Sequence, residues 1–294
     1  MAFNRHTFRT RTLTAAVFVL VMLAGLLWNH WSFLILFSII HFGCWWEYLK
    51  LTEKIYTTSV HIIAKLGFML LGYGLMLWFC GPAFEINEYR LKENLSFPVS
   101  AAGFVILMWA IFQTKQPLSK VTGVAALGLI YISLSWGLMM DLYSTSVDIH
   151  LHDTLFVLEA GILPVIIVLS IWINDTMAYI VGSLIGKTPL SKISPKKTWE
   201  GTIGGILLAI AVIAVLFPLY FGSFTGYLLF LILPIAGISA VAGTFGDLFE
   251  SKLKRMAGVK DSGTIMPGHG GFLDRFDSML FAIPFVWLYS YFFL

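Results

Sequence analysis

Residues 201–246 read GTIGGILLAIAVIAVLFPLYFGSFTGYLLFLILPIAGISAVAGTFG, and none of these 46 residues is charged. A helix that crosses the hydrocarbon core of a membrane needs about 20 apolar residues. The stretch is therefore long enough for two crossings, joined at residues 222–225. Glu200 precedes it and Asp247 follows it, so both ends of this apolar segment are marked by an acidic residue. This stretch predicts a helical membrane protein.

The composition of the whole chain supports the same interpretation. Hydrophobic residues occupy 58% of the 294 positions, charged residues occupy 12%, and the mean hydropathy is +0.84. Soluble globular domains carry about 25% charged residues, so this chain is not expected to fold in water. A nucleic acid partner is not expected either, because the net charge is only +3 and no basic block is interleaved with aromatic residues.

Apolar runs and the breaks between them predict about nine transmembrane helices, and hence an all-α, polytopic membrane protein. The first run follows Arg5, Arg9 and Arg11 and resembles a signal peptide. Because further apolar segments follow at once, we interpret it as a retained first helix. The predicted spans are 13–28, 31–49, 60–80, 97–114, 119–140, 161–182, 202–221, 226–246 and 278–294.

The positions of the basic residues predict the orientation. If the N-terminus is cytoplasmic, 16 of the 19 lysine and arginine residues lie in cytoplasmic segments. Basic residues are enriched in such segments of membrane proteins. The loop after the fifth span, on the other side, instead collects Asp141, Asp148, Asp153 and Glu159. We therefore expect a cytoplasmic N-terminus and an external C-terminus.

Two cytoplasmic loops hold most of the informative polar residues. The first reads GSLIGKTPLSKISPKKTWEG from Gly182 to Gly201, and the second reads GDLFESKLKRMAGVKDSGTIMPGHGGFLDRFDS from Gly246 to Ser278. Lysine and backbone N–H groups bind phosphate oxygens, and carboxylates bind Mg²⁺. We therefore divide the chain into N-terminal transmembrane helices (1–160) and a catalytic transmembrane region with a site at its cytoplasmic face (161–294).

Helical spacing groups several of these polar residues. If the eighth span continues past the membrane as a helix, Asp247, Ser251, Lys254 and Arg255 share one face, since residues three or four apart are neighbours. Each basic residue taken alone could equally reach for lipid headgroups. The clustering of the four favours a functional site.

Four carboxylates are expected to converge near the cytoplasmic ends of the last spans. Asp175 lies inside the sixth span, Asp247 follows the eighth, and Asp274 and Asp277 are one turn apart before the ninth. Ionisable groups within or beside a span are costly and are functional candidates. The alternatives are a polar packing contact for Asp175, a solvated charge at the membrane interface for Asp247, and an interfacial ion pair between Asp274 and Arg275.

Two short segments are expected to interrupt the helices beside these carboxylates. Pro267-Gly268-His269-Gly270-Gly271 cannot continue a helix, and its glycines allow backbone N–H groups to approach anionic oxygens. Its histidine suits a loop hydrogen bond as well as a ligand or proton carrier. Before the seventh span, Ser194-Pro195-Lys196-Lys197-Thr198 ends in a threonine that could cap the following helix.

Both loops resemble one family. The run Ser251-x-Leu253-Lys254-Arg255, then Lys260-Asp261, then Pro267-x-His269-Gly270-Gly271-Phe272-x-Asp274-Arg275-Phe276-Asp277 is similar to the signature of phosphatidate cytidylyltransferases, also called CDP-diacylglycerol synthases. Asp175, Ala178-Tyr179, Gly182, Gly186 and Ser194-Pro195-x-Lys197-Thr198-x-Glu200-Gly201 also resemble that family. The motif resemblance covers about 175–277, and N-terminal to it only the hydropathy pattern agrees.

The resemblance implies transfer of the cytidylyl group of CTP to phosphatidic acid, giving CDP-diacylglycerol and pyrophosphate. It implies a homodimer, and Mg²⁺ held by Asp247, Asp274 and Asp277, with K⁺ as an alternative second cation. The implied catalytic residues are Asp247, Asp274, Lys254, Arg255 and His269. The implied substrate-binding residues are Asp175, Ser194, Lys197, Glu200, Ser251, Lys260, Asp261, Gly270, Gly271 and Arg275. The compact chain indicates a bacterial cytoplasmic (inner) membrane.

Other functions remain open from the residues alone. A secondary transporter or channel also carries polar residues in its helices, but transporters usually contain repeated halves, and no repeat is visible here. A related enzyme acting on a prenol or an ether lipid, including a CTP-dependent lipid kinase, would need a similar site. A structural partner protein without activity would tolerate loss of Asp247 and Asp274.

Overall fold

The structure is a computed structural model that describes residues 5–113, 120–151, 154–221, 226–265 and 270–294. These ranges are almost entirely helical. The helices are α1 (Arg5–Leu27), α2 (His30–Tyr56), α3 (Ile62–Trp78), α4 (Leu91–Asn94), α5 (Ser96–Gln113), α6 (Lys120–Gly128), α7 (Ser135–Ser144), α8 (Ile162–Ile185), α9 (Trp199–Phe221), α10 (Gly226–Met256) and α11 (Leu273–Phe293). A π-helical turn, Leu129–Leu134, joins α6 to α7.

The helices confirm the predicted all-α, polytopic membrane architecture. Within the described ranges, seven helical segments are long and apolar enough to cross a membrane, and two shorter apolar helices, Thr12–Leu27 and Ile62–Trp78, coincide with the first and third predicted spans. The count of about nine therefore agrees with the structure, while the orientation of the N-terminus stays a prediction. The seven are His30–Tyr56, Leu91–Ala110, Thr122–Ser144, Ile162–Ile185, Trp199–Tyr220, Leu229–Met256 and Leu273–Phe293.

Helices α10 and α11 extend beyond their predicted spans, and the added turns carry the predicted site residues Asp247 and Asp274. The eighth predicted span ends at residue 246, but α10 continues to Met256 and carries Asp247 with it. Gly258 follows with a φ of +67°, which glycine adopts at little cost, and its N–H donates to the carbonyl of Arg255. Helix α11 begins at Leu273, five residues before the predicted position.

Two short β-hairpins were not predicted from the sequence. Strands β1 (Glu85–Ile86) and β2 (Tyr89–Arg90) pair antiparallel around Asn87 and Glu88, which have φ of 45° and 70°. Two consecutive positive φ values are typical of a tight hairpin turn. Strands β3 (Val147–Leu151) and β4 (Thr154–Leu158) also pair antiparallel, with Val147 opposite Leu158. Both hairpins lie in connections between apolar helices.

The chain forms two compact units. The first contains Met1–Thr145 and Leu253–Phe276, and the second contains Ser146–Lys252 and Asp277–Leu294. Helices α10 and α11 thus each contribute to both units. The functional division predicted between residues 160 and 161 concerns activity and stays a prediction.

The core of the first unit is rich in buried aromatic side chains. Trp136 of α7 contacts Phe37 of α2, with ring centroids 5.0 Å apart, and Phe276 of α11 at 5.8 Å. Trp45 is fully buried and donates its Nε1–H to Ser133 Oγ of the π-helical turn at 2.8 Å. These contacts fix the first turn of α11 in this core.

In the second unit α8 and α9 pack closely through small residues. A Cβ atom on Gly201 would lie 2.9 Å from the Cα atom of Gly182, closer than real Cβ contacts allow. Close approach of this kind is typical of helices that associate through small residues in membranes. Thr198 Oγ1 accepts the N–H of Gly201 at 3.2 Å, which confirms the predicted cap at the start of α9.

Candidate active site

A cavity of about 470 Å³ in the second unit contains several of the predicted site residues. Helices α8, α9 and α10 and the segment before α9 form its wall. Asp175, Lys197 and Asp247 reach it from three different parts of the sequence. The lining residues are Asn174, Asp175, Ala178, Tyr179, Gly182, Ser183, Lys196, Lys197, Thr198, Thr202, Thr244 and Asp247.

Asp247 and Lys197 form an ion pair beside this cavity. The Asp247 side chain is 31% exposed, so solvent and small ligands can reach it. Ser251, one turn further along α10, donates its hydroxyl to Asp247 Oδ1 at 3.3 Å, as the predicted shared face requires. The pair thus offers both a cation for phosphate oxygens and a carboxylate for a metal ion.

Asn174 and Asp175 extend the polar wall into α8. Asn174 is buried, and its Nδ2 lies 3.5 Å from both Asp175 Oδ1 and Thr244 Oγ1. Within the described part of the chain, its Oδ1 atom accepts no hydrogen bond. A buried acceptor without a partner is costly, so this amide oxygen suits a ligand or an ordered water.

Glu200 organises the segment that carries Lys197. Its carboxylate accepts the backbone N–H groups of Lys187 and Thr188, each at 3.2 Å, and the Thr188 hydroxyl at 2.9 Å. The carbonyl of Ser194 accepts the N–H of Lys197 at 3.1 Å, which closes a turn before α9. Ser194 and Glu200 therefore shape the wall through contacts within the protein.

The first unit contains a second polar cluster, centred on Asp274 in the first turn of α11. Asp274 Oδ1 accepts from Lys254 Nζ at 2.6 Å. Its Oδ2 accepts the N–H of Ser262 at 2.8 Å, the Ser262 hydroxyl at 2.9 Å and the N–H of Gly271 at 2.8 Å. The side chains of Asp274 and Lys254 are only 9% and 15% exposed, so this pair is largely shielded from water.

Glu47 of α2 joins the same cluster and was not predicted as a site residue. It accepts the N–H groups of Phe272 and Leu273 at 3.0 and 2.9 Å and the Ser262 hydroxyl at 2.7 Å. It lies inside the predicted span 31–49, and the cost of a carboxylate there is the signal that could have identified it. Ser262 was also missed, and no pattern around it distinguishes it from other loop serines.

The remaining predicted residues are placed as follows. Gly270 has a φ of +84°, and Gly271 is buried against the Glu47 carboxylate. Asp277 is buried and accepts the N–H of Ser278 at 2.7 Å. His269 lies outside the described residues. The exposed residues are Arg255, Lys260, Asp261 and Arg275.

The metal prediction can be compared with the donor set. Mg²⁺ in proteins usually takes one or two carboxylates and completes its shell with water and phosphate oxygens. Asp175 and Asp247 line one cavity, and the Asn174 amide oxygen adds a neutral donor, so this wall fits such an ion. No group of three or more Asp, Glu, His and Cys side chains forms a ready-made site within the described ranges. Asp274 already accepts hydrogen bonds from Lys254, Ser262 and Gly271.

Comparison with known proteins gives consistent matches along the chain. Residues 9–293 match the model of the family described as the cytidylyltransferase family. A phosphatidate cytidylyltransferase of Staphylococcus saprophyticus is 33% identical over 281 residues, covering 94% of this chain and 96% of that protein. The enzyme of that name from Staphylococcus haemolyticus is 31% identical over 278 residues, with the same coverage. That of Bacillus subtilis is 49% identical over 118 residues, 40% of this chain and 43% of that protein.

Proposed function

Because this chain belongs to the cytidylyltransferase family, we propose how its residues transfer the cytidylyl group of CTP to phosphatidic acid. The protein is a membrane-embedded, CTP-dependent nucleotidyltransferase, and its products are CDP-diacylglycerol and pyrophosphate. The observation that carries the residue-level proposal is the cavity lined by Lys197, Asp175 and Asp247. It combines cationic and acidic groups in a wall made by apolar helices.

The nucleophile requires little activation. Phosphatidic acid presents a phosphate monoester oxygen, which is largely ionised near neutral pH, so no strong general base is needed. The main barrier is to bring two polyanions together in line. We assign that task to Lys197 in the cavity, which would stabilise phosphate charge as the bond to pyrophosphate breaks. Lys254 and Arg255 at the end of α10, and Lys260 after it, are further candidates for binding phosphate oxygens, as the family resemblance implies.

The carboxylates have a different task in this proposal. Asp175 and Asp247 would hold Mg²⁺. Of the three ligands predicted from the sequence, Asp247 lines this cavity, and metal binding by Asp274 and Asp277, with K⁺ as a second cation, stays a prediction. When bound, the ion would neutralise and orient the triphosphate. Lys197, released from Asp247, would then be able to bind phosphate oxygens. Ser251 would keep the Asp247 carboxylate oriented through its hydrogen bond.

The cellular setting follows from the same relatives. The chain is a multi-pass membrane protein. We propose that it resides in a bacterial cytoplasmic membrane, since the most similar proteins named above are bacterial. We also propose a homodimer, which light scattering of the purified protein in detergent would test. A monomeric mass at active concentrations would contradict it.

The decisive assay supplies purified protein in mixed micelles with CTP, phosphatidic acid and Mg²⁺. Pyrophosphate release and lipid-linked CMP should appear together, should stop on addition of EDTA and should return with excess Mg²⁺. Asp247→Asn should lower turnover by at least about 100-fold, as expected when a metal-binding or charge-stabilising group is lost. Glu85→Gln, at a partly exposed carboxylate paired with Arg90, is the control and should leave turnover unchanged.

Each other outcome has a defined meaning. Release of CDP instead of pyrophosphate would identify a CTP-dependent lipid kinase. Turnover on other lipid phosphates, but not on phosphatidic acid, would change the substrate class. Full activity of Asp247→Asn would keep the reaction and reject the site.

A further inference from the structure

Helix α2 supplies a buried carboxylate to a loop that lies more than 200 residues away in the sequence. Glu47 is 2% exposed, and its separation from Ser262 is 215 residues. Its three contacts are all hydrogen-bond donors: two backbone N–H groups at the start of α11 and one hydroxyl. A carboxylate is an acceptor only, and negative charge is favoured at a helix N-terminus. The three donors and the helix N-terminus around Glu47 therefore favour a carboxylate at this position.

The fit also depends on two glycines. A methyl group on Gly263 or on Gly271 would overlap the Glu47 carboxylate, so both positions require the absence of a side chain. One turn earlier on α2, Gly43 similarly leaves room for the ring of Phe272. The loop between α10 and α11 is thus attached to α2 near Ser262 and again at Gly271 and Phe272.

A short hydrogen-bonded chain connects Glu47 to the predicted catalytic residues. The Ser262 hydroxyl lies 2.7 Å from Glu47 Oε2 and 2.9 Å from Asp274 Oδ2. It has one proton, so it donates to one carboxylate at a time. Asp274 in turn accepts from Lys254. A displacement of Glu47 would therefore move Ser262 and disturb both Asp274 and Lys254.

We propose that Glu47 is a positioning residue for cytidylyl transfer, which holds Ser262 and the start of α11 so that Asp274 and Lys254 keep their catalytic orientation. This inference rests on the proposed function for its kinetic consequence. Its structural consequence is independent of the reaction: without Glu47, the segment that carries Lys260 and Asp261 loses its hydrogen bond to α2 at Ser262.

Glu47→Gln is the direct test, because it keeps the size of the side chain and replaces one acceptor oxygen by a donor. That amide would face a backbone N–H group or the Ser262 hydroxyl. We expect kcat per folded molecule, measured well below the unfolding midpoint, to fall about 10- to 100-fold, because a small displacement of Asp274 and Lys254 disturbs the alignment on which transfer depends.

A matched control is available on the same helix. Glu53 accepts from Lys65 Nζ and from the N–H of Val60, both at 2.7 Å, and so ties α2 to the start of α3. Glu53→Gln also replaces a largely shielded carboxylate of α2 that accepts a backbone N–H, and it does not touch Ser262, Gly271 or Phe272. It should lower stability but leave kcat per folded molecule within about twofold of the wild type, because Glu53 has no contact with the hydrogen-bonded chain to Asp274 and Lys254.

A second measurement reports on local opening of the loop around Lys260 and does not require catalytic activity. Lys260 is exposed, and so is Lys196 in the other loop. Limited trypsin digestion in detergent, followed by mass spectrometry, should show cleavage after Lys260 accelerated about tenfold or more in Glu47→Gln, because local opening becomes easier. Cleavage after Lys196 should be unchanged, and Glu53→Gln should change neither rate.

Ser262→Ala completes the test. It removes the bridge to Asp274 and leaves the two backbone contacts of Glu47, so it should fold even if Glu47→Gln does not. We expect a lower kcat, and an effect in the double variant smaller than the product of the two single effects.

Two results would overturn the inference. One is a lower unfolding temperature in Glu47→Gln with unchanged kcat and unchanged cleavage after Lys260, which would indicate a purely structural carboxylate. The other is unchanged kcat in Ser262→Ala. If the wild type fails to turn over CTP and phosphatidic acid, the proposed function fails, and the trypsin comparison still decides whether Glu47 holds the loop.

Discussion

Asp247→Asn and Asp274→Asn should both lower activity, but they should differ in their effect on stability. Asp247 is partly exposed and contacts Lys197 and Ser251 at the wall of a cavity. Asp274 is 9% exposed and accepts four hydrogen bonds, one of them from a lysine that is itself largely buried. The same chemical change therefore removes very different sets of interactions.

The magnitudes follow from these surroundings. Asparagine at position 274 keeps one acceptor oxygen and removes the carboxylate charge that faces Lys254 in a shielded site. Breaking a buried ion pair in this way costs about 3–5 kcal/mol, which corresponds to a fall in the unfolding temperature on the order of 10 °C. At position 247 solvent compensates Lys197, and the loss should be about 0–1 kcal/mol, or only a few degrees.

Thermal unfolding of the purified variants in one detergent, followed by intrinsic tryptophan fluorescence, would measure this difference. Turnover, measured at a temperature where all variants are folded, is the second measurement. Equal destabilisation by the two substitutions, or a larger loss for Asp247→Asn, would refute the assignment of Asp274 to a shielded structural network and of Asp247 to an accessible site.

Two further variants probe single contacts. Gly271→Ala should lower the free energy of unfolding by at least about 1–3 kcal/mol, because its methyl group overlaps the Glu47 carboxylate. Gly123→Ala, with open space around it, should be neutral or stabilising by up to about 1 kcal/mol. Comparable unfolding temperatures for the two variants would contradict the steric argument. Thr198→Ala should lower stability by about 1 kcal/mol through loss of the α9 cap, and Thr198→Ser should retain it. A serine variant as unstable as the alanine variant would show that the hydroxyl is not what matters.

Features that depend on local sequence were predictable. The apolar runs determine where helices can cross a membrane, since each crossing segment must satisfy its backbone N–H and C=O groups within itself. The cap at Thr198 and the shared face of Asp247 and Ser251 follow from helical geometry over three or four residues, and the structure contains both contacts. The density of motif residues between 175 and 277 was enough to indicate the family.

Pairings between distant residues could not be read from the sequence. Lys197 and Lys254 both lie in segments that the sequence predicts to be cytoplasmic, yet one pairs with Asp247 in an accessible wall and the other with Asp274 in a shielded cluster. The position of Glu47 inside a predicted span marks it as costly, but its partners Phe272 and Leu273 are known only from the tertiary structure. The physical reason is that hydropathy and helical period describe one segment at a time. The partners of a buried charge depend instead on which segments the tertiary fold brings together.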